Sequence, residues 1–140
     1  MKKPIMLSIR GRQAYMDQEP DVIELVTEGT MEYVDGGWNI CYEESELTGL
    51  AGVTTLFRVE RDRIVLTRSG RLNSQMVFQE GVEHTSLYQM DFGALMITVC
   101  ASRIVAMLND DGGMLDLVYG IEIEQSTAGT VDYHLEIRTK

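Results

Sequence analysis

Apolar and polar residues alternate along most of this chain. Val53, Thr55, Phe57 and Val59 share one parity, and so do Trp38, Ile40 and Tyr42. Leu115, Leu117, Tyr119, Ile121 and Ile123 form a longer row, set against Asp116, Val118, Gly120 and Glu122. Val131, Tyr133, Leu135 and Ile137 form another, set against Asp132, His134, Glu136 and Arg138. A period of two is that of a strand with one face on a core and one in water. Turn chemistry separates the rows at Asp35-Gly36-Gly37, Glu60-Arg61-Asp62-Arg63, Ser69-Gly70, Glu80-Gly81 and Asn109-Asp110-Asp111-Gly112-Gly113.

The pattern predicts strand segments at 4–12, 21–33, 37–43, 53–60, 63–69, 74–79, 84–91, 93–101, 103–109, 113–124 and 129–138, some of which merge or break. Val22-Ile23-Glu24-Leu25-Val26 also fits a helical turn, but its β-branched residues and the Thr27-Glu28-Gly29 that follows favour a strand. Short strands with tight connections, and only two prolines, indicate an all-β antiparallel meander with little helix. An open sheet of so many strands would twist and leave two edges exposed. Closure into a barrel of about 8–10 strands removes that hazard, with a two-sheet sandwich as the competitor. No linker, repeat or low-complexity tract divides residues 1–140, so a single domain is expected.

Composition narrows the function classes. The 44% hydrophobic and 24% charged residues are an ordinary globular balance, which excludes a disordered chain. The net charge of -10 argues against nucleic acid or an anionic membrane as partner, because phosphates require a basic face. No apolar run reaches the ~18 residues of a spanning helix. Charge is unevenly spread: no Lys or Arg lies between Gln13 and Phe57, a segment holding Asp17, Glu19, Asp21, Glu24, Glu28, Glu32, Asp35, Glu43, Glu44 and Glu46. Arg58, Arg61, Arg63, Arg68 and Arg71 follow. Such segments can pair across one sheet or offer a polarised surface to a protein partner.

The search for chemistry returns mainly exclusions, and no cofactor or metal is expected. No nucleophile elbow, phosphate loop or dinucleotide fingerprint occurs. The lysines are Lys2, Lys3 and Lys140, which rules out an interior catalytic lysine. His134 alternates with apolar residues and should face water beside Asp132 and Glu136, while His84 lies near a turn. Cys41 and Cys100 form no metal or redox motif and read as reduced thiols of a cytoplasmic protein. The 109–113 run lacks the spaced oxygen ligands of a calcium loop and reads as a hairpin turn. Of the acids after Tyr42, alternation places Glu44 and Glu46 on one face and Glu43 on the other. The methionines, Met76, Met90, Met96, Met107 and Met114 among them, read as fillers of irregular gaps in the core.

Polar residues on apolar rows are the most informative feature. Glu44 continues the row Trp38, Ile40, Tyr42, and Arg68 continues the row Ile64, Leu66. Both should point into the barrel or its mouth, where an uncompensated charge is costly, so each should pair with the other or with neighbours. Tyr42, Tyr119 and Tyr133 bring hydroxyls to the same interior. Two readings stand foremost, ahead of a third in which Arg68, Glu44 and a tyrosine form the acid/base cluster of an enzyme. One is a hydrogen-bonded plug, which leaves an outer surface for protein partners. The other is a non-enzymatic pocket in which Arg68 takes the anionic group of a small acidic or amphiphilic ligand, with Tyr42, Glu44, Tyr88, Tyr119 and Tyr133 around it. Oligomeric state is not encoded in any of these patterns.

The block Tyr42-Glu43-Glu44-Ser45-Glu46-Leu47-Thr48-Gly49, then Val53-Thr54-Thr55-Leu56, then Leu66-Thr67-Arg68-Ser69-Gly70, resembles the YwiB-like family of small bacterial proteins. Met76-Val77-Phe78, Tyr88, Phe92-Gly93 and the Gly113…Leu117-Val118-Tyr119 strand continue the resemblance in order. What it implies is a calycin-like (lipocalin-like) β-barrel with no assigned biochemical role. Any likeness to lipocalin ligand binding is fold analogy alone.

Overall fold

The alternating rows become ten strands, because only a sheet can send every second side chain to the same side. They are β1 (Lys3–Tyr15), β2 (Asp21–Val34), β3 (Gly37–Glu43), β4 (Val53–Val59), β5 (Ile64–Gly70), β6 (Ser74–Phe78), β7 (Glu83–Met90), β8 (Gly93–Asn109), β9 (Gly112–Ile123) and β10 (Ser126–Thr139). The computed structural model describes residues 2–15, 19, 21–45, 51–90, 93–124 and 126–140, with the backbone alone at 15, 90, 127 and 128. Glu46, the 47–49 stretch and Phe92, all used in the sequence reading, lie outside the described residues, as does Asp17. No helix among the described residues is long and apolar enough to cross a membrane.

Each strand pairs antiparallel with its sequence neighbour, except that β6 and β7 share no ladder. The ring is completed by β1, which pairs with both β2 and β10. Between β6 and β7 the barrel is held by a bridge in which the Asn73 and Gln89 amides each donate to the other's carbonyl, at 2.9 and 2.8 Å. The barrel is therefore nearly closed, and the meander expected from the sequence is the observed architecture.

Two expected segments, 93–101 and 103–109, form the single strand β8. The break in pattern is a β-bulge between Ala101 and Arg103, where the register against β9 slips by one residue. Ile97, Val99 and Ala101 are buried before it, and Ile104 and Leu108 pack on the core after it. The inward parity thus changes from odd to even. Residues 22–26 are strand, within β2. At the β8–β9 turn, the Asp111 amide donates to Asn109 Oδ1 (2.8 Å), as suits a hairpin turn. Gly113 follows at φ 140°, where a Cβ would stand 1.8 Å from the Met107 carbonyl oxygen, so no other residue fits there.

The core is the inner face of the barrel. Ile5, Leu7, Met31, Ile40, Phe57, Ile64, Leu66, Phe78, Leu115, Leu117 and Leu135 are all essentially inaccessible. The methionines divide: Met76 is buried, but Met96 and Met107 are exposed, which corrects their reading as core fillers. They lie on the outer parity of β8, where the pleat sends them to solvent. The acid-rich and arginine-rich segments meet partly across one sheet. Arg58, opposite Asn39 in the β3–β4 register, donates through Nη1 to Asn39 Oδ1 (3.2 Å) and to the Val34 carbonyl (2.8 Å). The ion pairs of Arg58 and Arg63 stay local, with Glu60 at 3.6 and 2.9 Å, and the cross-strand pair Arg10–Glu24 (3.8 Å) joins β1 to β2 instead.

Candidate functional site

The inner rows of β1, β2, β3, β5, β7 and β10 converge at one end of the barrel on a cavity of about 240 Å³. Ile9, Gly11 and Gln13 line it from β1, and Ile23 and Leu25 from β2. Tyr42 and Glu44 enter from β3 and just beyond it, Arg68 from β5, Tyr88 from β7 and Tyr133 from β10. Five of the six residues expected from the sequence therefore share one cavity. Tyr119 does not line it. It is buried, tilted against Phe78 with ring centroids 4.5 Å apart.

Alternation sends Glu44 and Arg68 inward as the sequence implies, and both are more than nine-tenths buried, at 8% and 9% exposure. They are supported differently. Thr55, wholly buried on β4, donates its hydroxyl to Glu44 Oε2 at 2.5 Å, and Tyr42 also hydrogen-bonds Glu44. Burial, reinforced by the Glu44 carboxylate, pushes the Tyr42 hydroxyl far above its ordinary range, so it stays a neutral donor. Arg68 donates through Nη2 to the Tyr133 hydroxyl (3.2 Å). Burial works against its charge, but Tyr133, Tyr119 and the Glu44 carboxylate more than offset this, and the guanidinium stays protonated.

Two enclosed polar atoms have no hydrogen-bond partner among the described residues: Arg68 Nε and Ser74 Oγ. Arg68 and Ser74 are opposite each other in the β5–β6 register. A buried donor left unmade costs roughly 1–3 kcal/mol, so two on paired positions need a physical reason. Nε and Nη2 form one edge of the guanidinium, and its Nη2 corner is already bonded to Tyr133. Because Tyr133 accepts that bond, its own proton is available to a further acceptor.

The remaining lining is apolar or permissive. Ile9 is buried, Leu25 is half-buried and Ile23 is exposed at the rim, so the wall carries hydrocarbon out towards solvent. Gly11 faces Tyr133 across the β1–β10 pair, and a Cβ there would lie 3.2 Å from the Tyr133 ring. The missing side chain is therefore part of what keeps the cavity open. The sequence reading missed Thr55, Gly11 and Ser74. Thr55 stands within a row it had identified, and Gly11 and Ser74 fall in segments it read as strands, but their roles depend on which strands lie opposite. Ile9, Gln13, Ile23 and Leu25 were missed for the same reason.

Other groups of interest lie elsewhere. His134 is on the outer face, bonded to Asp116 Oδ1 at 2.5 Å across the β9–β10 register and 3.4 Å from Glu136. Its hydrogen bond to Asp116 raises its pKa above the ordinary histidine value. His84 bonds Gln79 at 2.8 Å. Cys41 and Cys100 are free and half-buried, and burial pushes the Cys41 thiol upward. No metal-binding cluster of His, Cys, Asp or Glu occurs among the described residues. The opposite end of the barrel carries a wider, open groove of about 730 Å³ between the β4–β5 turn, the β6–β7 turn and the second half of β8. Among the described residues, no buried unpartnered charge lines that groove.

Comparison with known proteins agrees with this architecture. The model of a domain of unknown function, DUF1934, matches residues 7–137. The uncharacterized beta-barrel protein YwiB of Bacillus subtilis (strain 168) is 24% identical over 107 residues, covering 76% of this chain and 74% of that protein. The crystal structure of the YwiB protein from Bacillus subtilis superposes with a TM-score of 0.83 at 22% identity, covering 96% of this chain and 92% of that one. That similarity shows a shared β-barrel fold. With the family model spanning nearly its whole length, the chain belongs to the DUF1934 family.

Proposed function

We propose that this β-barrel is a non-enzymatic binder of a small amphiphilic molecule, which enters the Arg68 end with its polar head inward. The observation that carries the reading is Arg68, a buried cation on the wall of a cavity, with Nε unpartnered among the described residues. An acceptor atom of the head would accept hydrogen bonds from the Arg68 guanidinium and from the Tyr133 hydroxyl together, and a small turn of the Arg68 side chain would bring the enclosed Nε into reach. The hydrocarbon would lie along Ile9, Leu25 and Ile23 towards the mouth. A volume of about 240 Å³ is just below the ~300–1,000 Å³ of sites for drug-sized ligands, which suits a small metabolite. The lipocalin-like analogy implied by the family resemblance is consistent with this use but carries no weight in it. Two free thiols accord with a reducing, cytoplasmic setting.

The test is a thermal-shift screen of short-chain amphiphiles, with native mass spectrometry of the protein as purified. A ligand at 100 times its Kd adds about 2.7 kcal/mol of stability. In a chain of this size that raises the Tm by about ten degrees. Arg68→Met should remove the shift. Bare protein by mass spectrometry, together with a melt unmoved by every head-group class, overturns the proposal.

A second reading, a protein-interaction module, is favoured by one observation at the other end. Beyond Cys100, β8 has β9 on one side but no ladder with β7 on the other. The Gly81 amide and the Glu80 carboxylate occupy this edge at Ala101 and Ile104, and an edge without a ladder beyond that point can accept an extended segment. A partner recovered by pull-down whose binding survives Val105→Pro and the reversal of Arg61 and Arg63 would remove this face from consideration.

A further inference from the structure

Resting on the small-molecule reading above, we infer that the head group this cavity selects is polar but carries no net charge, as in a primary amide, a lactam or a urea, and that Glu44 is the residue enforcing this. Arg68 alone would favour a carboxylate. It is not alone, because the Glu44 carboxylate lines the same cavity, is as deeply buried, and acts electrostatically on Arg68. Thr55 and Tyr42 hold Glu44 in place with hydrogen bonds. The pair leaves the cavity close to neutral before any ligand arrives. An entering carboxylate would bring an unbalanced negative charge into a space that already holds one, and an ammonium would meet Arg68.

A neutral head avoids both penalties and still uses the directional groups. Its carbonyl oxygen accepts from the Arg68 guanidinium and from the Tyr133 hydroxyl, and its N–H donates to a Glu44 carboxylate oxygen, an acceptor that can take several donors at once. Arg68 and Glu44 thus read an acceptor and a donor on one head group, as a site built for a planar amide requires. The exposed acids and arginines of the outer surface play no part in this selection, so it should be insensitive to salt.

The experiment is titration calorimetry of the whole protein with three molecules matched in size: phenylacetate, phenylacetamide and phenethylamine. Wild type should prefer phenylacetamide to either ion by about tenfold or more, since desolvating an unbalanced charge costs more than one decade of affinity. Glu44→Gln removes the negative charge at nearly constant volume and should invert the order, with phenylacetate becoming the tightest ligand. A preference of the wild type for phenylacetate overturns the inference and leaves the small-molecule reading standing. An unchanged order in a folded Glu44→Gln protein overturns the assignment to Glu44. If no member of the series binds while other amphiphiles in the screen do, the amide class is wrong. If nothing binds at all, the small-molecule reading falls with it. The wild-type comparison needs no variant, so the inference stays falsifiable even if Glu44→Gln fails to fold.

Discussion

Removing the Arg68 charge tests whether the buried cation and the buried carboxylate offset each other inside the barrel. Arg68→Met keeps most of the side-chain volume and deletes the guanidinium. Breaking a buried pair by removing one member costs about 3–5 kcal/mol, because the other charge stays buried. Two features of this site reduce the figure. Arg68 Nε has no hydrogen-bond partner among the described residues, so its deletion recovers roughly 1–3 kcal/mol of unmet hydrogen bonding. Glu44 keeps its bonds to Thr55 and Tyr42. The expected net loss is about 1–3 kcal/mol. Glu44→Gln should cost a similar amount, and the double variant less than the sum, since replacing both charges together is often neutral or better. The coupling energy should then be about 1–3 kcal/mol, within the range seen for contacting residues. Urea unfolding followed by the fluorescence of Trp38, the single tryptophan, reads all four proteins from the far end of the barrel. A coupling near zero would refute the mutual compensation of the two charges and remove the basis for a neutral cavity.

Three further outcomes are expected. Phe57→Ala, which empties a fully buried site beside Tyr133, should destabilise the fold by about 3–5 kcal/mol in the same unfolding assay. Gly113→Ala forces a Cβ against backbone at a positive φ and should cost well over ~1 kcal/mol, read as a lowered Tm. His134, followed by NMR, should titrate above the ordinary ~6.5, and Asp116→Asn should bring it down. Because the folded value is raised, any stability from this pair is present below ~6.5 and is lost as pH rises through the folded pKa. The ring is more than a third exposed, so the effect on stability is small while the NMR shift is clear.

The rows of Leu115–Ile123 and Val131–Ile137 made an all-β meander readable without coordinates, because side-chain parity in a strand is local covalent geometry. The inward placement of Glu44 and Arg68 followed from the same count, since each simply extends an apolar row. The bulge at Ala101–Arg103 was visible only as a gap between two segments, because one inserted residue looks the same as a short turn until the partner strand is known. What tertiary structure alone decided is how the interior is shared. Arg68 and Tyr133 are 65 residues apart, and their bond exists because the ring brings β5 and β10 to opposite walls of one lumen. Tyr119 obeys the same parity as Tyr133 yet packs against Phe78 and does not line the cavity. Gly11 keeps space open only because Tyr133 is its register partner. Parity fixes which side of the sheet a residue takes. Only the curvature and stagger of the closed sheet determine what it meets across the barrel, and therefore whether the centre is filled or leaves room for a ligand.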